Sequence, residues 1–199
     1  MKKIITIAID AMGGENAPKK NIEGLDLFLK TNKSNDFIIH LFGDEIKINE
    51  ELKRLKISSD KIKIIHSDSV VSDEESPLAA IKNSKNTSMW NAVKSQISGN
   101  ADITLSAGNT GVLLVTSRMI LKMMKEVNKP ALAGLWPNKK GMSVVLDLGA
   151  NIECDDKNLV DFSEMGAALY KSIFPEQKPI VSLLNIGSEE IKGTKILKK

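Results

Sequence analysis

Residues 4–9, Ile-Ile-Thr-Ile-Ala-Ile, form an unbroken apolar run that stops abruptly on Asp10, followed by Ala11, Met12, Gly13 and Gly14. A strand exposed on one face would alternate polar and apolar residues. A continuous run this short predicts a strand covered on both faces, as in a parallel sheet flanked by helices. The pattern recurs. Residues 37–42, 61–65, 101–105, 131–136, 143–148 and 180–184 also read as strands, the fifth and sixth joined by a turn at 137–141.

Between these runs the apolar period changes to that of a helix. Ile22, Leu25, Phe28 and Leu29 mark one helix, and Ile48, Leu52 and Leu55 another. A Ser- and acid-rich connection at 67–76 leads to Pro77 and two short helices, the second carrying Met89, Val93 and Ile97 on one face. Residues 109–125 predict a helix with little polar surface, hence deep burial, and residues 159–173 an amphipathic one facing inward through Phe162, Met165, Leu169 and Ile173. The alternation specifies an α/β fold, a mostly parallel sheet with helices on both faces, in a single α/β domain over residues 1–199.

Composition narrows the function. Net charge is +3, aromatics are 4%, and Lys is scattered along the chain, so no nucleic-acid surface is expected. The single Cys154 excludes an internal disulfide and fits a reducing compartment. The opening apolar run is interrupted by Asp10 and is followed by no small-residue cleavage site, so it reads as a strand rather than a signal sequence. Residues 112–124 are too short and too polar, through Thr116, Ser117 and Arg118, to span a bilayer. A soluble, cytoplasmic protein is expected.

Ligands of open α/β sheets bind beyond the carboxyl ends of the strands. Four strand ends here carry small or hydrogen-bonding residues: 9–14, 105–111, 146–151 and 183–187. In residues 106–111, Ser-Ala-Gly-Asn-Thr-Gly, Gly108 permits close backbone approach, and Asn109 or Thr110 can cap the next helix, whose free amides suit an anion. A tight turn with an N-cap explains the same residues. Asp10 and Asp147 end apolar runs and could contact ligand, cap a loop or pair with a lysine; Asn151 and Asn185 could hold a carbonyl or phosphoryl oxygen, or simply turn the chain.

Other chemistries find less support. His40 lies within an apolar run and His66 ends one, without metal-ligand spacing, so no metal is expected. GxGxxG, a P-loop lysine and GxSxG are absent, which argues against a nucleotide cofactor, a nucleotide-dependent oxidoreductase and a serine hydrolase. Cys154 has no partner pattern that would make it a nucleophile.

Taken together in order, Ile-Asp-Ala-Met-Gly-Gly with Asn16-Ala17-Pro18, Ser-Ala-Gly-Asn-Thr-Gly, Leu-Asp-Leu-Gly-Ala-Asn and Leu-Leu-Asn-Ile-Gly resemble the phosphate acyltransferase family of bacterial phospholipid synthesis. Ser67-Asp68, Pro77, Lys82, Lys85, Ser88-Met89, Lys129-Pro130-Ala131 and Met165-Gly166 fall at family positions between them. Glu15, Asn86-Thr87 and Ser188 depart from the common pattern.

The resemblance implies transfer of a fatty acyl group from acyl carrier protein to inorganic phosphate, without a cofactor. It implies the fold shared with phosphotransacetylases and the isocitrate dehydrogenase group, a homodimer, and peripheral association with a membrane glycerol-phosphate acyltransferase. On this reading Ser106, Gly108, Asn109, Thr110 and Gly111 hold phosphate, and Asn151 and Asn185 orient the thioester carbonyl. Asp10 and Asp147 order loops or position Lys82 and Lys85. Family members continue well past residues 183–187, so the chain reads as the amino-terminal portion of the family fold. The alternative is a non-catalytic remnant that keeps the fold and phosphate binding.

Overall fold

The structure is a computed structural model describing residues 3–34, 36–72 and 85–185. Where one domain is expected, the chain divides into two compact units, residues 1–122 and 123–199.

The first unit contains β1 (Ile5–Asp10), α1 (Lys19–Thr31), β2 (Phe37–Gly43), α2 (Glu45–Arg54), β3 (Ile62–His66), α3 (Ser88–Ile97), β4 (Ile103–Ser106) and α4 (Thr110–Leu121). Its four strands form a parallel sheet in the order β3-β2-β1-β4. The continuous apolar runs are explained by cover on both faces. Ile39 and Leu41 of β2 pack with Ile22 and Leu25 of α1 and Ile48 and Leu52 of α2. Ala8 and Phe42 point the other way, to Ala92 of α3 and to Ala101. Ile22, Ile39, Leu41 and Ile48 are fully buried, each contributing about 1.5–3 kcal/mol by removal from water.

Side-chain caps start the helices where the chain leaves the sheet. Asp44 accepts from the amides of Ile46 and Lys47 at 3.0 and 3.2 Å, and Thr87 from that of Trp90 at 3.2 Å. The helix expected over 109–125 ends at Leu121, where Lys122 adopts a left-handed φ of 68°. Nor is it deeply buried. Only Val112 and Thr116 are buried, and Met119 is 38% exposed. An apolar sequence shows what a helix can bury, whereas cover depends on neighbours.

The second unit contains β5 (Gly134–Asn138), β6 (Gly141–Val145) and α5 (Asp156–Ile173). The strands form an antiparallel hairpin turning at 138–141, shorter at its outer ends than the sequence suggests. A capping box starts α5: Asp155 accepts from the Asn158 amide at 2.8 Å, and the Asn158 side chain accepts from the Asp155 amide at 3.2 Å. Residues 180–184, expected as a strand, form none. Ile180 and Leu184 are 93% and 82% exposed. An apolar run becomes a strand only when a neighbour takes its backbone hydrogen bonds, and these residues have no ladder partner among the described residues.

Candidate functional site

Strand order marks a candidate crevice in the first unit. From β1 the chain runs outward to β2 and β3, then crosses back to β4 on the other side of β1. The loops leaving β1 and β4 therefore diverge at a topological switch point, the usual place for a crevice in such sheets. Both are among the loops singled out in the sequence.

The two loops are knitted together around a buried acid. Asp10, 2% exposed, pairs with Ser106 in the β1–β4 register. The Ser106 hydroxyl donates to Asp10 Oδ2 at 2.7 Å, and the Gly108 amide donates to Ser106 Oγ at 3.1 Å. The Met12 amide reaches Asp10 Oδ1 at 3.3 Å. Burial pushes the Asp10 pKa up; Ser88, Ser106 and the amides of Met12 and Gly13 oppose this without cancelling it. Ser88, at the start of α3, is near enough to favour the charged carboxylate, yet its buried hydroxyl makes no well-formed hydrogen bond.

The glycines serve this contact. A Cβ on Gly13 would stand 2.5 Å from Asp10 Oδ2 and 2.9 Å from the Gly108 nitrogen. A Cβ on Gly108 would meet Met89 Cε at 3.0 Å and Gly13 Cα at 3.3 Å. Gly108 is expected to admit a ligand; on the side where a Cβ would stand, its neighbours are the Gly13 loop and Met89. Its amide is committed to Ser106 as well. Both facts are tertiary and invisible in the local spacing.

The anion-binding potential lies one step further on. Asn109 caps α4, accepting from the Val112 amide at 3.1 Å. Thr110 and Gly111 form the first turn, where helix geometry supplies their amides with no carbonyl acceptor. Thr110 is exposed, and Ser106, Asn109 and Gly111 are half-buried. Oriented amides at the positive end of a helix, beside a polar strand end, suit a phosphate-sized anion.

The loop following β6 is built differently. The Asp147 carboxylate accepts four hydrogen bonds: from the amides of Leu132 at 2.8 Å, Ala150 at 3.2 Å and Asn151 at 2.8 Å, and from Asn151 Nδ2 at 2.9 Å. Burial alone would raise its pKa, but the bonds from Leu132, Asn151 and Ala150 outweigh that and hold it below the ordinary value. Asn151 Nδ2 also donates to the Pro130 carbonyl at 2.8 Å. With its amide hydrogens committed to Asp147 and Pro130, the Asn151 side chain orders this loop and has only Oδ1 to offer a ligand.

The remaining candidates scatter. Lys85 is exposed in the turn before α3, Asn185 is exposed, and Lys82 lies outside the described residues, as do Pro77 and Ser188. Cys154 is a half-buried free thiol. His40 Nδ1 is buried and has no partner among the described residues, and burial and Lys63 lower its pKa. His66 accepts from the Glu45 amide and contacts Asp68, a rim role. No group of acidic, His or Cys side chains that could hold a metal, and no helix long and apolar enough to cross a membrane, occurs among the described residues. Sequence reasoning gave no role to Ser88 or to the Gly13–Gly108 contact. The Thr87 cap followed by small Ser88 was the available signal for the former.

Residues 5–199 match the family described as fatty acid synthesis protein. The chain is 54% identical to a phosphate acyltransferase of Pelagibacter ubique over 199 residues, all of this chain and 59% of the relative. It is 42% identical to a phosphate acyltransferase of Parvibaculum lavamentivorans, again over the whole chain but 55% of the relative. It thus spans somewhat over half the length of these proteins. Among solved structures, the EutD phosphotransacetylase from Staphylococcus aureus matches with a TM-score of 0.66 at 15% identity, covering 98% of this chain and 61% of that one. A phosphotransacetylase from Streptococcus pyogenes matches with a TM-score of 0.64 at 15% identity, covering 94% and 60%. These likenesses bear out the expected fold.

Proposed function

The chain belongs to the fatty acid synthesis protein family, and on that premise we propose that it acts in acyl transfer from acyl carrier protein to inorganic phosphate, yielding acyl phosphate for phospholipid synthesis. The supporting observation is the paired loop at the sheet's switch point, which sets the Asn109-capped start of α4 beside Ser106. Phosphate is taken by the first-turn amides of Thr110 and Gly111 with Asn109 and Ser106 around them, while Gly108 holds the two loops in register.

A phosphate oxygen attacks the thioester carbonyl carbon. The new C–O bond forms, the C–S bond breaks through a tetrahedral oxyanion, and the proton lost by phosphate ends on the departing thiolate. Asn185 is proposed as the donor to the carbonyl oxygen. Asn151 and Asp147 act by holding their own loop, and Lys82 and Lys85 supply positive charge for phosphate. Phosphate is itself the nucleophile, so Cys154 forms no acyl-enzyme. A cytoplasmic homodimer working at the inner membrane face, handing product to a glycerol-phosphate acyltransferase, completes the reading.

The test is release of free carrier-protein thiol from acyl carrier protein, with hydroxylamine trapping the acyl phosphate. It is run on the 199-residue chain alone and fused to the remaining segment of the Pelagibacter relative. Phosphate-dependent release in the fusion supports the reading, and release by the chain alone would show the site complete within it. Phosphate binding without turnover in either form favours the non-catalytic alternative. Absence of both phosphate binding and turnover in the fusion would overturn the proposal.

A further inference from the structure

The hydrogen-bond direction at Asp10 bears on which anion the site accepts. An ionised carboxylate can only accept, so the 2.7 Å contact means that the Ser106 hydroxyl points its proton inward. The Gly108 amide occupies one lone pair of Ser106 Oγ. One lone pair remains, and it can only accept. We infer that Asp10 and Ser106 form a selectivity element: ionised Asp10 makes Ser106 an acceptor toward the ligand, so the loop takes a tetrahedral oxyanion carrying its own proton and discriminates against one that carries none. This rests on the phosphate reading above and deepens it. Monohydrogen phosphate and sulfate have the same shape and the same charge of about −2 near pH 8, and differ chiefly by that proton.

The surroundings support an uncompensated carboxylate. The groups facing Asp10 are Ser106 from β4, Ser88 from α3 and the amides of Met12 and Gly13, with Phe42 alongside on β2. None is titratable, and no ion pair to Asp10 occurs among the described residues. Such a buried charge costs stability, and keeping it is explained if it orients Ser106. Asp10 is thus a positioning residue, acting through Ser106. Burial raises its pKa, so the orientation relaxes at a higher pH than for an ordinary carboxylate. Once protonated, Asp10 can donate to Ser106, and Ser106 can then turn its proton toward the ligand.

The experiment is calorimetric titration of the 199-residue chain with phosphate and with sulfate at pH 8 and constant ionic strength, for the wild type, Asp10→Asn and Ser106→Ala. The wild type should prefer phosphate by about tenfold, the scale of one unmatched polar group. Asp10→Asn places an amide donor against Ser106, so its sulfate affinity should rise and its phosphate affinity fall, bringing the ratio to about one. Ser106→Ala should lower the ratio without raising sulfate affinity, a split that general loosening of the loop does not produce. If Asp10→Asn fails to fold, wild-type sulfate affinity measured as the pH falls decides, with Ser106→Ala as the reference. It should climb more steeply in the wild type, sulfate itself remaining unprotonated. A wild type that binds both anions equally, or a ratio indifferent to both variants and to pH, overturns the inference and leaves the phosphate site standing. A wild type that binds neither overturns the phosphate reading itself.

Discussion

Asp10 and Asp147 follow the same local recipe, an apolar run, an aspartate and then small residues, yet they solve opposite problems. Asp147 is ringed by four donors from residues 132, 150 and 151, and its pKa is lowered. Asp10 is almost wholly buried, receives well-formed side-chain bonds from Ser106 and the Met12 amide among the described residues, and its pKa is raised. The first carboxylate stabilises the loop that carries it. The second is held at a cost, which its proposed hold on Ser106 explains. A strand-terminal Asp therefore has no meaning of its own, because the number of donors it collects decides its role.

The sharpest way to break the first arrangement is Gly13→Ala. Its Cβ would collide with Asp10 Oδ2 and the Gly108 nitrogen, costing about 1–3 kcal/mol by overpacking and abolishing phosphate binding. Gly149→Ala, in the Asp147 loop, meets nothing within 4 Å but must hold a φ of +90°, so about 1–2 kcal/mol of backbone strain is expected. Urea unfolding of the two variants, with phosphate titration, tests the contrast. Equal retention of phosphate binding in Gly13→Ala would show that the loops need not touch.

Removing the acids should separate stability from function. Asp147→Ala leaves donors unmatched and should destabilise the second unit by about 1–3 kcal/mol, seen as faster hydrogen exchange at residues 132, 150 and 151. Asp10→Asn keeps the shape, removes the buried charge, and should unfold at the same temperature as the wild type or higher. A marked loss of stability in Asp10→Asn would place both acids in the same structural class.

The pH dependences should also run in opposite senses. With its pKa lowered, Asp147 contributes stability above the unfolded value near 3.8 that is lost as pH falls through its folded pKa. With its pKa raised, Asp10 contributes stability that is present in full below the unfolded value and lost as pH rises through the folded one. The stability difference between wild type and Asp147→Asn should therefore vanish in acid, and that between Asp10→Asn and wild type should grow from acid toward neutrality. Denaturant midpoints from pH 3 to 8 would show it.

The smallest effect is expected outside both loops. Cys154→Ser should change stability by no more than about 0.5 kcal/mol and leave any phosphate-dependent turnover intact. A trapped acyl thioester on Cys154 would contradict that expectation.

The α/β class, the first four strands and the cap at Asn109 are legible in the chain because they rest on local periodicity and on a contact three residues away, whereas the caps at Asp44 and Thr87 emerge with the structure. The motif at 106–111 likewise marks the start of α4. What local pattern does not carry is partnership. Nothing near Gly108 announces Gly13, and nothing near Asp10 announces Ser88 or Ser106, which lies 96 residues away. Residues 180–184 look as much like a strand as residues 4–9, but among the described residues only the earlier run finds neighbours for its backbone. Sequence alone determined which segments can become strands and helices and where polar groups gather at strand ends, since those choices depend on each residue and its near neighbours. Tertiary structure alone decided that Asp10 is buried and Asp147 ringed by donors, because burial and hydrogen-bond supply belong to the surroundings that distant segments create.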